Sequence, residues 1–156
     1  MIELAFHARQ EPPPEEGNLD KWRQQNKELL LGELVRILER SGKTGNMSKL
    51  LTDFINRERK ASTAIGSGIA VPHVRTMQAR DLIIGFARSR DGYDFDAPDK
   101  KLTHLFFIMA APPYDDSLYL RVFKSLSEVL RYDTFREALM QASEPFDIIK
   151  AFKMAE

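Results

Sequence analysis

The chain has no cysteine and only three histidines among its 156 residues. Without cysteine it can form neither a disulfide nor a thiol nucleophile, and a structural zinc site would have to rely on carboxylates, which such sites rarely use. Positive and negative side chains are balanced at 23 each. Nucleic-acid-binding domains carry a clear basic excess, so we expect no nucleic acid among the partners.

Long apolar runs are also absent from the sequence. No segment approaches the roughly 20 apolar residues that span a bilayer, and the first residues lack the basic start and apolar stretch of a secretory signal. We therefore expect a cytoplasmic protein with no direct membrane insertion. The length fits one folded domain. Three consecutive prolines at 12–14 indicate that residues 1–17 are an N-terminal arm and linker and that residues 18–156 form the domain.

Hydrophobic periodicity predicts helices towards both ends of the chain and strands between them. Asn18 or Asp20 can cap the first helix, and Asn46 or Ser48 can begin a second helix that ends near Arg57. Further helices are predicted over residues 117–131, 134–140 and 145–152, and strands over 69–71, 82–88 and 105–111. This order predicts a layered α/β domain with helices packed on the sheet.

Local patterns refine this order. Apolar residues alternate along residues 2–8, which favours a short strand or an arm that pairs with another segment. Asp91 and Gly92 are typical of a turn after the strand over 82–88. The continuous apolar run over 105–111 indicates a strand covered on both faces, and residues 114–116 are expected to form a loop and to cap the next helix.

The most informative segment is residues 61–73, with the sequence ASTAIGSGIAVPH. Two glycines, Gly66 and Gly68, lead into a short apolar strand that stops at Pro72. Proline cannot donate a hydrogen bond to a strand ladder, so His73 should lie at a sheet edge or in a loop mouth. Imidazole accepts and releases groups near neutral pH, and basic residues flank this segment. The pattern indicates a phosphoryl-accepting site.

Basic side chains near His73 would favour the neutral, nucleophilic imidazole and would attract a phosphoryl donor. Arg57 is the first choice for phosphate contact because its planar fork matches phosphate oxygens, and Arg75 is the second. The Thr63 hydroxyl and the backbone amides at the two glycines can donate further hydrogen bonds. The glycines lack the Gly-Lys-Ser/Thr ending of a nucleotide loop, so the site requires no metal, nucleotide or other cofactor.

The residues Arg57, Glu58, Thr63 and Gly66, followed by the string GIAVPH over 68–73, resemble the signature of enzyme IIA domains of the fructose–mannitol type. These domains belong to the phosphoenolpyruvate-dependent sugar phosphotransferase system, and nitrogen-regulatory relatives share the domain. The likeness runs from residue 29 to residue 152. It implies an α/β fold with a mixed β-sheet and helices packed on both faces.

The resemblance also implies a function and a set of partners. In this family a histidine at the position of His73 takes a phosphoryl group from a histidine-containing phosphocarrier protein and passes it to a IIB domain. An arginine at the position of Arg57 lies near the phosphoryl group. The resemblance therefore implies a phosphoryl-transfer protein with a phosphohistidine intermediate.

The chain departs from the family pattern at two positions. Val74 follows the histidine where the family usually has a small residue, and Tyr119 stands where the family often has a second histidine. Tyrosine can donate a hydrogen bond to a phosphoryl oxygen but cannot carry charge at pH 7. Two functions stay open: a phosphocarrier for sugar uptake or nitrogen regulation, and a non-catalytic module with a degenerate site that binds a regulatory target protein.

The remaining histidines and basic residues have simpler interpretations. We interpret His104 as a strand-edge residue with a hydrogen-bonded ring and His7 as an exposed residue of the arm. Arg59 and Lys60 fit a basic cluster at a helix C-terminus at least as well as they fit a site. Trp22 is either a packing residue or an interface residue.

Overall fold

The computed structural model describes residues 1–114 and 116–155, and the order of elements within them follows the sequence pattern. The helices are α1 (Leu19–Glu39), α2 (Met47–Lys60), α3 (Asp116–Val129), α4 (Asp133–Gln141) and α5 (Pro145–Met154). The strands are β1 (Ile2–Glu3), β2 (Ala64–Gly66), β3 (Ile69–Ala70), β4 (His73–Arg75), β5 (Ile83–Tyr93) and β6 (Thr103–Ala111). Within these residues no helix combines the length and the apolar sequence that a membrane span requires. The loop and cap expected at 114–116 include Asp115, which lies outside the described residues.

One sheet contains all six of these strands, in the order β1-β5-β6-β3-β2, with β4 also paired to β6. Strands β5 and β6 form its antiparallel centre, whereas β1 runs parallel to β5 and both β3 and β4 run parallel to β6. The sheet is therefore mixed, as predicted. Strand β4 continues along the same edge of β6 as β3, because Ile69 pairs with Leu105 and His73 pairs with Met109.

Strand β6 is buried on both faces, which explains its continuous apolar sequence. Phe106 and Ile108 point to one face and pack with residues of α1 and α2. Phe107 and Met109 point to the other face and pack with residues of α3, α4 and α5. Because side chains alternate along a strand, a single strand supplies both cores, and the predicted cover of helices on both faces is confirmed.

The helix starts agree with the capping residues in the sequence. The Asn18 side chain accepts hydrogen bonds from the backbone amides of Asp20 and Lys21 at the start of α1. The Asn46 side chain accepts from the Lys49 amide, which selects Asn46 over Ser48 as the cap of α2. Helix α2 continues to Lys60, beyond the end expected near Arg57, and its last turn is basic, which the helix dipole favours.

The N-terminal arm contacts the rest of its own chain. Strand β1 pairs with β5, and Phe6 is buried against the ring of Tyr93. The indole Nε1 of Trp22 donates to the Glu11 carbonyl, so Trp22 packs against the arm. The pairing expected for residues 2–8 is confirmed, and β5 is the segment with which they pair.

Strand β5 differs most from its sequence prediction. The turn predicted at Asp91 and Gly92 is wrong, because the strand continues through both residues to Tyr93. Pairing with β6 is irregular between Arg88 and Tyr93, and Gly92 has φ +81°. The turn signal therefore marks an irregularity inside the strand, where a residue with positive φ is needed, rather than its end.

Candidate functional site

His73 begins β4, directly after the break in the edge strand that the sequence places at Pro72. Pro72 has no amide proton to donate, and its carbonyl accepts from the Met109 amide of β6. In the described part of the chain β4 pairs with β6 alone, so His73 lies at a sheet edge and is half-buried. The edge position expected from the sequence is confirmed.

The imidazole of His73 has a fixed orientation. Its Nδ1 lies 2.6 Å from the carbonyl oxygen of Val71. A carbonyl oxygen can only accept, so Nδ1 carries the proton of the neutral ring. The lone pair of the neutral ring is therefore on Nε2, and the contact with Val71 selects the tautomer that has a nucleophilic Nε2.

The surroundings of His73 lower its pKa from the ordinary value of 6.5. Burial is the largest cause, since it disfavours the charged ring, and the positive charge of Arg57 acts in the same direction. The hydrogen bond to Val71 and the negative charge of Glu58 act in the opposite direction and are outweighed. The imidazole is therefore neutral at pH 7.

Two aromatic side chains of α3 pack against the imidazole. The ring centroid of Phe123 lies 4.9 Å from that of His73, and the centroid of Tyr119 lies 6.3 Å away. Residues four apart on a helix share a face, so one helix brings both rings to the histidine. Sequence reasoning missed Phe123, although its spacing from Tyr119 in the predicted helix was a usable signal.

Tyr119 is a hydrogen-bond donor at neutral pH. Its side chain is buried, and burial raises its pKa above the ordinary value of 10.0. The positive charges of Arg57 and Arg75 oppose that shift without reversing it. The phenol therefore keeps its proton beside His73.

The arginines differ in their surroundings. Arg57, in α2, donates to the Ala61 carbonyl at 3.0 Å, and Arg75, in β4, donates to the Pro113 carbonyl. The charge of Arg57 acts on both His73 and Tyr119, and that of Arg75 acts on Tyr119. Arg59 instead pairs with Glu28 of α1 at 2.5 Å, consistent with its interpretation as a residue of the basic helix end.

Thr63 does not present its hydroxyl to His73. The side chain is buried, its Oγ1 donates to Oε2 of Glu58 at 2.7 Å, and its backbone amide donates to Oε1 at 2.8 Å. Lys27 Nζ lies 2.9 Å from the same Oε1, and both charged side chains are buried. The Thr63 hydroxyl therefore belongs to a buried cluster with Lys27 and Glu58, and its contact with a phosphoryl group stays a prediction.

Gly66 and Gly68 lie away from His73. Both have positive φ, Gly66 as the last residue of β2 and Gly68 directly before β3. The strand that follows Gly68 pairs with Leu105, whereas His73 pairs with Met109, four residues further along β6 and hence about 13 Å away. The structure does not bring these glycines to the site, and their role is to let the chain reverse direction.

Comparisons with known proteins agree on one family. The model of the phosphoenolpyruvate-dependent sugar phosphotransferase system, EIIA 2, matches residues 18–155. The fructose-specific EIIA component of Haloferax volcanii is 32% identical over 116 residues, which cover 74% of this chain and 75% of that protein. The fructose-specific EIIABC component of Bacillus subtilis is 34% identical over 123 residues, which cover 79% of this chain but only 19% of that protein.

A solved structure extends the agreement to the fold. The crystal structure of nitrogen regulatory protein IIA-Ntr from Neisseria meningitidis superposes with a TM-score of 0.76 and 26% identity. The superposition covers 99% of this chain and 90% of that one, so it includes the arm as well as the region that the family model matches.

Proposed function

Because the chain belongs to the EIIA 2 family of the phosphoenolpyruvate-dependent sugar phosphotransferase system, we propose that it accepts a phosphoryl group on Nε2 of His73. The donor in this proposal is a histidine-containing phosphocarrier protein. The observation that carries the proposal is the contact between His73 Nδ1 and the Val71 carbonyl, which leaves the lone pair on Nε2 of a half-buried, neutral ring.

The proposed phosphoryl transfer forms one N–P bond and breaks another. The lone pair of Nε2 attacks the phosphorus of the donor's phosphohistidine, a new N–P bond forms, and the donor's N–P bond breaks as its imidazole leaves. Nδ1 keeps its proton throughout. The phosphorylated ring gains positive character, and the Val71 carbonyl that accepts from Nδ1 stabilises this charge.

Arg57 and Tyr119 are proposed to act on the phosphoryl oxygens. Charge on these oxygens must be compensated during transfer, and Arg57 is a cation whose field reaches both rings of the site. The Tyr119 hydroxyl is a neutral donor at the place where other members carry a second histidine. Arg75 is a second cation whose charge acts on Tyr119.

The proposed acceptor is a IIB domain or a regulatory target protein. The Bacillus subtilis relative is named a fructose-specific EIIABC component, which supports a IIB acceptor, and the Neisseria meningitidis structure is named a nitrogen regulatory protein, which supports a regulatory target.

A reconstituted phosphorylation assay tests the proposal. The full chain is incubated with phosphoenolpyruvate, enzyme I and the histidine phosphocarrier protein, and its intact mass is measured. We expect the mass of one phosphoryl group that is lost on acid treatment. A native chain that stays unlabelled, while Tyr119→His becomes labelled, would overturn the proposal in favour of a binding module with a degenerate site.

Replacing Tyr119 by phenylalanine is expected to slow labelling about tenfold without preventing it, since one hydrogen bond to a charged group is lost. The rate is measured by rapid quench and intact mass. Tyr132→Phe is the matched control, because that phenol is 66% exposed at the start of α4. If Tyr119→Phe is labelled at the native rate, the hydroxyl does not contact the phosphoryl group.

Replacing Arg57 by glutamine is expected to raise the pKa of His73, because a positive charge that disfavours the imidazolium is removed. The labelling rate falls as the pH drops through the His73 pKa, so this fall begins at a higher pH in the variant. NMR titration of the ring protons measures the pKa directly. Arg59→Gln is the control, since Arg59 pairs with Glu28, and an equal shift in both variants would contradict the assignment.

A further inference from the structure

A chain of hydrogen bonds leads from a buried ion pair to His73. Lys27 Nζ contacts Glu58 Oε1 at 2.9 Å, and the two Glu58 oxygens accept from the amide and hydroxyl of Thr63. The Thr63 carbonyl accepts from the Val71 amide at 3.0 Å. The Val71 carbonyl in turn accepts from Nδ1 of His73. These contacts connect the buried ion pair to the imidazole without a gap.

The residues at the start of this series of hydrogen bonds are more deeply buried than His73. Lys27 and Glu58 are each 3% exposed and Thr63 is 4% exposed, whereas His73 is half-buried. They therefore lie behind the loop that carries the histidine and cannot meet a phosphoryl group that arrives from solvent. The ammonium of Lys27 also lies 4.8 Å from the ring centroid of Phe95, which holds it in place.

A buried ion pair is not a general way to gain stability. Removing two charges from water costs several kcal/mol, and apolar residues of similar volume often serve a core as well or better. Here, however, the Glu58 carboxylate accepts from three donors, one on Lys27 and two on Thr63. The carbonyl of Thr63 in turn accepts from the Val71 amide, just before the edge strand. An apolar pair could not make the hydrogen bonds of the carboxylate.

We propose that Glu58 and Thr63 are positioning residues for His73: they fix the Val71 carbonyl so that it holds the proton on Nδ1 and leaves Nε2 free, while Lys27 supplies the counter-charge that keeps the Glu58 carboxylate in the core. The inference rests on the proposed function of His73. Glu58 and Thr63 act through Val71 and do not touch the phosphoryl group.

Two double variants test the proposal because they differ in one respect. Lys27→Met with Glu58→Gln removes both charges but keeps an amide that can bond to Thr63. Lys27→Met with Glu58→Leu removes both charges and leaves Thr63 without that partner. The ¹⁵N signals of the His73 ring report the tautomer, and the rate of phosphoryl labelling reports the function.

We expect the Met/Gln variant to keep the Nδ1–H tautomer, since its amide can still bond to Thr63. In the Met/Leu variant the Nε2–H tautomer should appear, and labelling should slow by about tenfold to a hundredfold, as expected when a reacting group is displaced by a remote change. Native ring signals in a folded Met/Leu variant would overturn the proposal. The ring signals need no phosphorylation, so a native chain that is never labelled would overturn the proposed function and leave this test intact.

A milder pair of variants serves if the Met/Leu protein does not fold. Thr63→Val removes only the hydroxyl bond to Glu58. Thr103→Val is the matched control, since Thr103 is fully buried and its Oγ1 has no hydrogen-bond partner among the described residues. We expect the His73 ring signals to move in Thr63→Val and to stay unchanged in Thr103→Val. Unchanged ring signals in both variants would overturn the proposal.

Discussion

Replacing His73 by glutamine is expected to abolish phosphoryl labelling, a loss of at least about a thousandfold, because the variant has no nucleophilic nitrogen at the site. Glutamine has a similar length and can bond to the Val71 carbonyl, so the fold should be retained. The half-buried position at a sheet edge also limits the cost of the change. Intact mass after incubation with the upstream phosphoryl donors measures the loss, and circular dichroism checks the fold.

His104 provides a strict control for this experiment. Its Nδ1 also lies against a backbone carbonyl, that of Ser89 at 3.0 Å, as the sequence interpretation of a hydrogen-bonded strand-edge ring expects. It lies at the opposite end of β6 from the partner of His73. His104→Gln should therefore be labelled like the native chain. Labelling that survives in His73→Gln and disappears in His104→Gln would refute the assignment.

Replacing Lys27 alone by methionine is expected to destabilise the fold by about 3–5 kcal/mol, because the buried Glu58 carboxylate then has no counter-charge. Replacing both partners, as Lys27→Met with Glu58→Gln, should cost much less, since no unpaired charge stays in the core and the amide can still bond to Thr63. The free energy of unfolding from urea titrations measures both variants, and the difference between them gives the cost of the isolated charge.

The matched control is an ion pair at the surface. Lys43 pairs with Asp81 at 3.1 Å, and both side chains are more than half exposed. Lys43→Met should change the free energy of unfolding by less than about 1 kcal/mol. If Lys27→Met and Lys43→Met lower the free energy of unfolding by the same amount, the buried pair of Lys27 and Glu58 stabilises the fold no more than a surface pair does.

The parts of the fold that follow from local chemistry could be predicted from the sequence. Asparagine side chains at 18 and 46 cap the first two helices because they satisfy amides within the next three residues. The apolar run of β6 indicates cover on both faces because every second residue enters a different core. Pro72 indicates a strand break because proline has no backbone N–H to donate. Each of these signals depends only on residues within a short stretch of sequence.

The parts that depend on distant partners could not be predicted in this way. Alternation along residues 2–8 indicates a strand but cannot name β5, which lies about 80 residues away in the chain, as the pairing partner. The sequence at Gly92 resembles a turn because the positive φ of this glycine is a local property. The pairing that keeps Gly92 inside β5 comes from β6, a different segment of the chain.

The candidate site shows the same division between local and distant signals. The sequence correctly places His73 at a sheet edge, and the resemblance directs attention to Tyr119, which the structure brings beside the imidazole. Thr63 is close in sequence and polar, yet its hydroxyl bonds to Glu58 inside the core, because Lys27 from another helix stabilises the carboxylate there. The two glycines belong to the far end of the sheet. Closeness along the chain therefore did not predict which groups these residues contact.

The decisive measurement is the NMR spectrum of the phosphorylated protein with ¹⁵N-labelled histidine. We predict that one histidine, His73, shows ¹⁵N–³¹P coupling at Nε2 while its Nδ1 stays protonated against the Val71 carbonyl. A phosphoryl group on Nδ1 of His73, or on His104, would contradict the proposed chemistry, because the contact with Val71 would then not select the reacting nitrogen.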